Sequence, residues 1–395
     1  MKDSFLAEKF AIHFIFCDSD DVFPRPPRAI RAMSEFRSDK RGVPITFSSS
    51  ASDDVWHDDK APEAYEGWHF DALSDDGRQA LIVSFYDNYP LSPRYHQNLP
   101  MTNGQTPTET CRKCPAVSLI YSVDGKVVLN AINEFNANEF SSKREGINCA
   151  IGPSWFRAES AEYGTGYVVN VDLIMARKSR LRAELEWLSI EADLLKDRAE
   201  SSGPAVWNIV SLRSDVSGRI TLAGADGETI NVFHIRGTGS HDHFRNQGPI
   251  DISVAGRCWG RGHFVDSTAV FQSVEAEGGG CSSTLHIVRN GEIEAREVKR
   301  ETNGSFRSRF GLKVPRELIF TADDGLSLKI VPERPIESGF CDVKIVARMG
   351  LYSAGEKLHE TRGIMAILAP GRLRGRLIRR LSGLKIGING RPPLF

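Results

Sequence analysis

The sequence of 395 residues contains no run of about 18 apolar residues, so it predicts no membrane-spanning helix. It also lacks the Gly-x-Ser-x-Gly, His-Glu-x-x-His and Gly-x-x-x-x-Gly-Lys motifs, which removes the usual sequence support for serine hydrolases, zinc proteases and P-loop enzymes. The first apolar run is interrupted by His13 and has no small-residue cleavage site, so we expect no signal peptide. These absences favour a cytoplasmic protein.

The sequence also has few cysteines and almost no net charge. Seven cysteines occur at irregular spacings, and an odd number in a long chain is typical of a reducing compartment with mostly inert thiols. Cys111-x-x-Cys114 has neither a second pair for structural zinc nor a βαβ context for redox chemistry. The formal net charge is −1, so we expect no nucleic-acid partner, and any electrostatic function must be local.

Short β-branched or alternating segments follow from Tyr65 onwards, separated by Asp-Gly and Asn-Gly dipeptides that favour hairpins. We expect hairpin turns at six of them: Asp76-Gly77, Asp124-Gly125, Asp226-Gly227, Asn290-Gly291, Asn303-Gly304 and Asp324-Gly325. The segment Leu181–Leu195 fits two alternatives equally well, a helix with leucines at helical spacing or a long strand continuing from Tyr167. The pattern predicts two antiparallel barrels or sandwiches, packed side by side.

The last 25 residues are basic and amphipathic, with leucine and isoleucine between the basic side chains and no acid. The arginines are Arg372, Arg374, Arg376, Arg379, Arg380 and Arg391. One interpretation is a helix on an anionic membrane surface, contacted through Arg372, Arg374, Arg376, Arg379 and Arg380, which would place a cytoplasmic protein at the inner face of the membrane. The alternative is a terminal segment that packs its leucines on the barrel and keeps its arginines in water.

The densest group of proton-exchanging side chains is His241-Asp242-His243, in a stretch flanked by glycines. In a strand, His241 and His243 share one face and Asp242 points to the other. Gly237 and Gly239 indicate a close approach of the backbone, as at the mouth of a cavity. We therefore predict that His241, Asp242 and His243 are catalytic; the alternative is a turn in which the imidazoles only bond to carbonyls.

An alternative is that His241 and His243 bind a zinc ion, with His234 or His263 as a third ligand. However, Gln247 stands where His-x-His sites of the cupin type carry an acidic residue, so we assign no metal. The two glycines make a poor dinucleotide fingerprint, because Asp242 occupies the position of the third glycine. We therefore expect no cofactor.

A second group begins at Glu66. In a strand, Glu66, Trp68 and Phe70 face one way, and His69 and Asp71 face the other. A carboxylate that shares a face with two aromatic rings is a candidate for a raised pKa and for a proton donor in an apolar pocket. We predict a catalytic Glu66 and a substrate-binding Trp68, His69 and Phe70; the alternative is that the rings are core and Glu66 lies in water.

A third group carries a flat ring and two hydrogen-bond donors. Trp259, Arg261 and His263 alternate onto one face of a strand, which suits the wall of a binding pocket. With Phe244, they complete the predicted substrate-binding residues. The alternative is that Trp259 belongs to the core.

These three groups, in this order, resemble the hydroxyneurosporene synthase or carotenoid hydratase superfamily, which includes lipocalin-like bacterial proteins and the fungal Diels-Alderases. The likeness spans about 61–385 and rests on Glu66-Gly-Trp68-His69-Phe70-Asp71-Ala72 with Asp75-Asp76-Gly77, on Ile151-Gly-Pro-Ser154, on Gly237-x-Gly239-Ser-His241-Asp242-His243 with Gly248, and on Trp259-Gly-Arg261 with Asp266. His69 and Ser240 depart from the commoner aromatic and tyrosine of that superfamily, and Phe244–Gln247 replaces its Asn-Trp step.

The resemblance implies a mainly β fold with two calycin- or lipocalin-like antiparallel domains, a sandwich plus a barrel, few helices, and a hydrophobic pocket at or near the domain junction. We accordingly expect an N-terminal extension over 1–60, an N-terminal β domain over 61–235, a C-terminal lipocalin-like barrel over 236–370 and the basic tail over 371–395.

The expected function is a cofactor-free enzyme that hydrates, or cyclises by protonation, the C=C bonds of a hydrophobic polyene or terpenoid. Asp242 or Glu66 would protonate the alkene, the rings of Trp68, Trp259 and Phe244 would shield the cation, and His241 or His243 would position water or take the terminating proton. A pericyclic cyclase, with Arg261 or His243 polarising a carbonyl, is one alternative. A non-catalytic carrier of a lipid or pigment is another.

Overall fold

The computed structural model describes residues 45–58, 61–99, 113–143, 146–161, 164–192, 194–195, 204–250 and 254–394. Most of the expected N-terminal extension and Cys111 therefore lie outside the described residues. The described part is dominated by β-strands with two short α-helices, so the prediction of a mainly β chain with few helices is confirmed.

The strands form two assemblies. The first contains β1 Ile45–Ser48, β2 Tyr65–Ser74, β3 Gln79–Tyr86, β4 Ala116–Val123, β5 Lys126–Glu134, β6 Phe140–Ser142, β7 Asn148–Ile151, β8 Ser154–Ala161, β9 Gly164–Ile174, β10 Arg180–Ala192, β11 Ala205–Ala223, β12 Thr229–Asn246 and β21 Gly387–Ile388. The second contains β13 Val254–His263, β14 Thr268–Ala276, β15 Cys281–Arg289, β16 Glu292–Arg307, β17 Lys313–Ala322, β18 Leu326–Ser338, β19 Asp342–Ser353 and β20 Glu356–Leu368. The helices are α1 Pro93–Asn98 and α2 Arg376–Gly383.

The first assembly is a sheet of thirteen strands in the order β21-β5-β4-β3-β2-β12-β11-β10-β9-β8-β7-β6, with β1 paired to β11. The sheet curls around one aromatic-rich core to which strands near both of its ends contribute. Asn133 on β5 helps to close this curl, because its side chain donates to the Ile174 carbonyl of β9 (2.9 Å) and accepts from the Ile174 N–H (2.7 Å).

The expected hairpins follow the turn dipeptides, with one exception. Five of the six lie between consecutive paired strands, where their glycines have positive φ angles. The sixth, Asn303-Gly304, lies inside β16 because β17 pairs with residues on both sides of it. The positive φ of Gly304, +65°, marks an irregularity within a strand rather than a turn.

The ambiguous segment Leu181–Leu195 forms a strand over Arg180–Ala192, so its helical alternative is wrong. Burial alternates with a period of two: Leu181, Leu185 and Trp187 face the core, whereas Leu188 is exposed. β10 pairs with β9 on one side and β11 on the other, and these ladders outweigh the helical spacing of its leucines.

The second assembly is a closed antiparallel barrel of eight strands with its own core. The outer face of the curled sheet packs on the barrel through an apolar group in which Ile82 and Ile120 of the sheet meet Val346 and Ile364 of the barrel. The barrel begins at Val254, and the expected boundary at residue 236 lies within β12 of the sheet.

The basic tail folds back on the molecule at two points. Leu373 is buried beside Tyr95 and Ile250, and Gly387–Ile388 pairs in parallel with β5. Between these points, α2 leaves Arg376, Leu377 and Arg380 exposed. No helix among the described residues is long and apolar enough to cross a membrane.

Candidate functional site

The adjacent strands β2 and β12 carry most of the predicted site residues and divide them between two faces. In their antiparallel register His241 is opposite Phe70, Asp242 is opposite His69, and His243 is opposite Trp68. The alternation predicted from the sequence is confirmed, since the side chains of odd-numbered His241 and His243 contact the interior of the curled sheet while Asp242 contacts the barrel.

Glycine allows β2 and β12 to approach closely at this point. A Cβ atom on Gly237 would collide with the Leu73 carbonyl, and one on Gly239 would collide with the Asp71 carbonyl. Both glycines lie within β12, and the next element among the described residues is the strand β13, so they position β12 against β2 rather than cradle a phosphate.

The interior face holds a chain of alternating imidazoles and carboxylates. Asp54 lies at its buried end, where its Oδ2 accepts hydrogen bonds from the Tyr167 hydroxyl (2.8 Å) and His241 Nε2 (3.0 Å). The other nitrogen of His241, Nδ1, donates to the His69 carbonyl (3.0 Å). Asp54 Oδ1 lies 3.3 Å from His243 Nδ1, so Asp54 joins the two predicted histidines.

His243 continues the chain toward the surface. Its Nε2 lies 3.2 Å from Glu66 Oε2, and Glu66 Oε1 lies 3.2 Å from His57 Nδ1. Glu66 and His243 are fully buried, whereas the His57 side chain is 24% exposed. The alternative in which Glu66 lies in water is therefore wrong.

The charges in this chain stabilise one another. Burial raises the pKa of Asp54, but the hydrogen bonds and positive charge of His241 and His243 outweigh burial and lower it to about 2. Burial lowers the pKa of His243, and its contacts with Asp54 and Glu66 outweigh that effect and raise it to about 9.

Aromatic rings enclose the histidines. Phe70 stacks on His241 with ring centroids 3.9 Å apart, and Trp68 stacks on His243 at 4.6 Å. Both aromatic side chains are almost fully buried and belong to the core of the curled sheet. They hold the imidazoles in fixed orientations.

A cavity of about 300 Å³ lies on the opposite face of these strands, between the curled sheet and the barrel. Ionisable side chains from both assemblies line it: Asp71, Asp75, Asp76, Arg213, Arg261, His263 and Arg362. Leu73 and Ile364 add apolar surface. The lining is thus more polar than the hydrophobic pocket implied by the family resemblance.

Arg261 connects the two assemblies at this cavity. Its guanidinium pairs with Asp71 of β2 through Nη2 and lies 3.4 Å from Asp242 Oδ2 of β12 through Nη1. All three side chains are at least four-fifths buried. A single guanidinium from the barrel is therefore shared by two carboxylates of the sheet.

Burial shifts the proton affinities of the groups around this cavity. It raises the pKa of Asp71, an effect that the charge and hydrogen bond of Arg261 only partly oppose. Burial lowers the pKa of His263 to about 3. It also lowers the pKa of His69, which bonds to Ser84 of β3 and does not line the cavity, to about 3. At neutral pH both imidazoles are uncharged.

Phe244 and Trp259 lie in a separate apolar contact between sheet and barrel. They flank Arg257, whose guanidinium carbon is 4.6 Å from the Phe244 ring centroid and 4.9 Å from that of Trp259. Both rings pack beside Trp207 and Val270, which fits the core alternative for Trp259.

The structure thus separates residues that the sequence grouped together. His241, His243, Glu66, Trp68 and Phe70 lie on the interior face, and Asp242, His69, Arg261 and His263 lie on the barrel side. Sequence reasoning missed Asp54 and His57 because they fall in the expected N-terminal extension. It also left Asp71 without a role, although strand alternation placed Asp71 on the face opposite Glu66.

No family model matches the chain. A hydroxyneurosporene dehydrogenase of Chlorobaculum tepidum is 19% identical over 355 residues, 87% of this chain and 92% of that protein. A structure from Nitrosomonas europaea assigned as AttH superposes with a TM-score of 0.56 and 14% identity, covering 80% of this chain and 95% of that one. Kievitone hydratase from Nectria haematococca gives a TM-score of 0.47 and 7% identity, covering 82% and 96%. The sequence likeness confirms the resemblance to the carotenoid hydratase superfamily, and the AttH likeness confirms the fold.

Proposed function

We propose that this chain is an enzyme that acts on C=C bonds of a hydrophobic polyene or terpenoid by proton transfer, in the cavity between the curled sheet and the barrel. The main support for this proposal is Arg261, which lines the cavity together with Asp71 and also contacts Asp242. Two carboxylates near one cation favour keeping a proton on one of them, which is what a general acid requires.

Asp71 is the acid in this mechanism. Its pKa is raised by burial and it lines the cavity, whereas Glu66 lies on the interior face of the same strand. The Asp71 proton is transferred to one alkene carbon and the positive charge develops on the other, delocalised over a conjugated polyene. Arg261 then pairs with both carboxylates, so the Asp71 carboxylate left behind is stabilised.

His263 is the base. Because burial keeps it neutral, it can accept the proton of a water molecule that adds to the cation, giving hydration, or a proton from the cyclised cation, giving a new alkene. Its Nδ1 lies 3.1 Å from the Thr268 hydroxyl, which fixes the ring. Return of the proton to Asp71 through solvent completes the cycle.

The substrate class is inferred from the cavity and from the relative. A volume of about 300 Å³ is at the lower end of small-molecule pockets, so the cavity suits the end of a long chain or a compact terpenoid. The name of the Chlorobaculum tepidum relative points to an acyclic carotenoid. That name denotes an oxidoreductase, whereas the side chains around Arg261 suit proton transfer.

We further propose that the tail contacts an anionic membrane surface through α2, where a lipid-soluble substrate would be collected. Arg376 and Arg380 are exposed beside Leu377, which is 67% exposed. Arg372 and Arg374 contribute less, because they bind the Phe310 carbonyl and Glu277. A cation beside an exposed leucine is the pattern of an interfacial helix.

The experiment is incubation of the protein with acyclic carotenoids and shorter acyclic terpenoids in heavy water, with products analysed by mass spectrometry. If an acid of the protein protonates the alkene, the product should carry one deuterium from the solvent on a carbon atom. A cyclised product without deuterium would instead indicate a pericyclic cyclase, and tight binding without turnover would indicate a carrier.

A further inference from the structure

We propose that His57, Glu66 and His243 bind a divalent transition-metal ion of the type that prefers imidazole and carboxylate ligands, Zn²⁺ or Fe²⁺. These side chains lie on the interior face of the curled sheet, on the other side of β2 and β12 from the cavity. The inference therefore does not depend on the proposed function.

The three ligand atoms lie close to the spacing that such an ion requires. One potential ligand atom from each side chain lies within 4.8 Å of those of the other two. Glu66 is 3.2 Å from His57 Nδ1 through one oxygen and 3.2 Å from His243 Nε2 through the other. Ligands bound to tetrahedral Zn²⁺ at about 2.0 to 2.1 Å are about 3.3 Å apart, so ion binding would draw the ligand atoms together by at most about 1.5 Å.

The outer nitrogen of His243 supplies a second, independent indication. His243 Nδ1 lies 3.3 Å from Asp54, and His57 Nε2 lies 3.5 Å from Asp53. Metal-bound histidines almost always direct their other ring nitrogen to a carboxylate, a carbonyl or water, which fixes the tautomer and makes the ligand more basic. His243 follows this pattern, with one nitrogen directed to Glu66 and the other to Asp54. His57 directs Nδ1 to Glu66, and its Nε2 contacts the Arg245 guanidinium as well as Asp53.

The local charge also favours a dication. Four carboxylates surround the two histidines, those of Asp53, Asp54, Glu66 and Asp87. Arg245 lies against Asp53 and His57, and Lys113 is 3.1 Å from Asp87. A dication is stabilised by carboxylates at such short distances.

Such an ion would act as a structural clamp. His57 belongs to the segment 45–58, whereas Glu66 and His243 lie on β2 and β12. A shared metal would tie this segment to the centre of the curled sheet. Because the ion would bind the folded state far better than the unfolded state, it would raise the melting temperature.

The test uses the full chain, dialysed against a chelator and then titrated calorimetrically with ZnCl₂ and, without oxygen, with Fe²⁺. We expect one ion per chain, a rise in melting temperature, and a tetrahedral visible spectrum when Co²⁺ replaces Zn²⁺. No binding of either ion, or an octahedral Co²⁺ spectrum, would overturn the proposal.

Variants locate the site. His57→Ala should abolish the tetrahedral spectrum without loss of fold, because His57 is partly exposed. Asp54→Asn should weaken binding by roughly 10- to 100-fold, the usual effect of removing an outer carboxylate. His234→Ala, at an exposed position on the same β12, is the matched control and should bind like the unmodified chain. Unchanged binding in His57→Ala would show that the ion binds elsewhere.

Discussion

His241 and Asp242 are neighbours in the chain but belong to different sites on opposite faces of β12. His241 lies 3.0 Å from Asp54 in the interior of the curled sheet, and Asp242 lies 3.4 Å from Arg261 of the barrel. The strand therefore separates a buried chain of histidines and carboxylates from a cavity at the junction.

Asp71, the proposed acid, should be required for turnover. Asp71→Asn should lower kcat by roughly 10²- to 10⁴-fold, because an amide of nearly the same shape cannot donate a proton to an alkene. Steady-state assay of carotenoid conversion measures this loss. Asp215→Asn, at an exposed position on β11, is the control. Full activity in Asp71→Asn would remove Asp71 from the mechanism.

The pH dependence of the reaction follows from the same two groups. Asp71 must be protonated and His263 neutral, so kcat should fall as the pH rises through the raised pKa of Asp71, above 3.8. On the acid side, kcat should fall only near pH 3, where His263 gains a proton. The decrease of kcat at higher pH is measured as a pH–rate profile over the pH range in which the protein stays folded. An increase of kcat with pH over that range would contradict the assignment of Asp71 as the acid.

Strand alternation accounts for what could be predicted about these sites. It placed His241 and His243 on one face and Asp242 on the other, because successive side chains of a strand point to opposite faces. It could not show that the faces form different sites. That separation depends on which surfaces pack together, and the barrel side is defined by Arg261, 190 positions from Asp71.

The rest of the site could not be predicted, because it depends on contacts between residues that are far apart in the sequence. Asp54 completes the interior chain from a Ser- and Asp-rich segment whose composition is typical of a loop. Its contact with His241 joins residues 187 positions apart. The sheet ladders on both sides of β10 likewise decided between helix and strand for Leu181–Leu195. Local sequence patterns contain no information about such long-range contacts.

Arg261 should be essential for stability. Arg261→Met leaves Asp71 and Asp242 buried without their cation, so we expect a loss of about 3 to 5 kcal/mol in the free energy of unfolding. Adding Asp71→Asn and Asp242→Asn should recover much of this loss, because the uncompensated charges are removed. Urea denaturation measures each variant. Arg219→Met, which breaks an exposed pair with Glu184, should cost no more than about 1 kcal/mol.

Vesicle binding tests the role of α2. Each arginine near an anionic surface contributes about 1 kcal/mol, so Arg376→Gln combined with Arg380→Gln should weaken binding to phosphatidylserine vesicles by roughly 30-fold. Sedimentation with vesicles measures the change. Arg182→Gln with Arg219→Gln, exposed on β10 and β11, is the control. Equal binding by both double variants would exclude α2 as the contact.

His286 should make the protein sensitive to acid. It is buried, stacks on Phe47 with ring centroids 3.9 Å apart, and its pKa is lowered by burial to about 4. Because the unfolded state binds the proton with the ordinary pKa of 6.5, stability should fall as the pH drops from about 6.5 to about 4, by about 3 kcal/mol from this residue. His286→Phe keeps the stacked ring and removes the titration. Urea denaturation at pH 7 and pH 4.5 should therefore show a smaller loss in the variant than in the unmodified chain, and equal losses would show that His286 does not contribute.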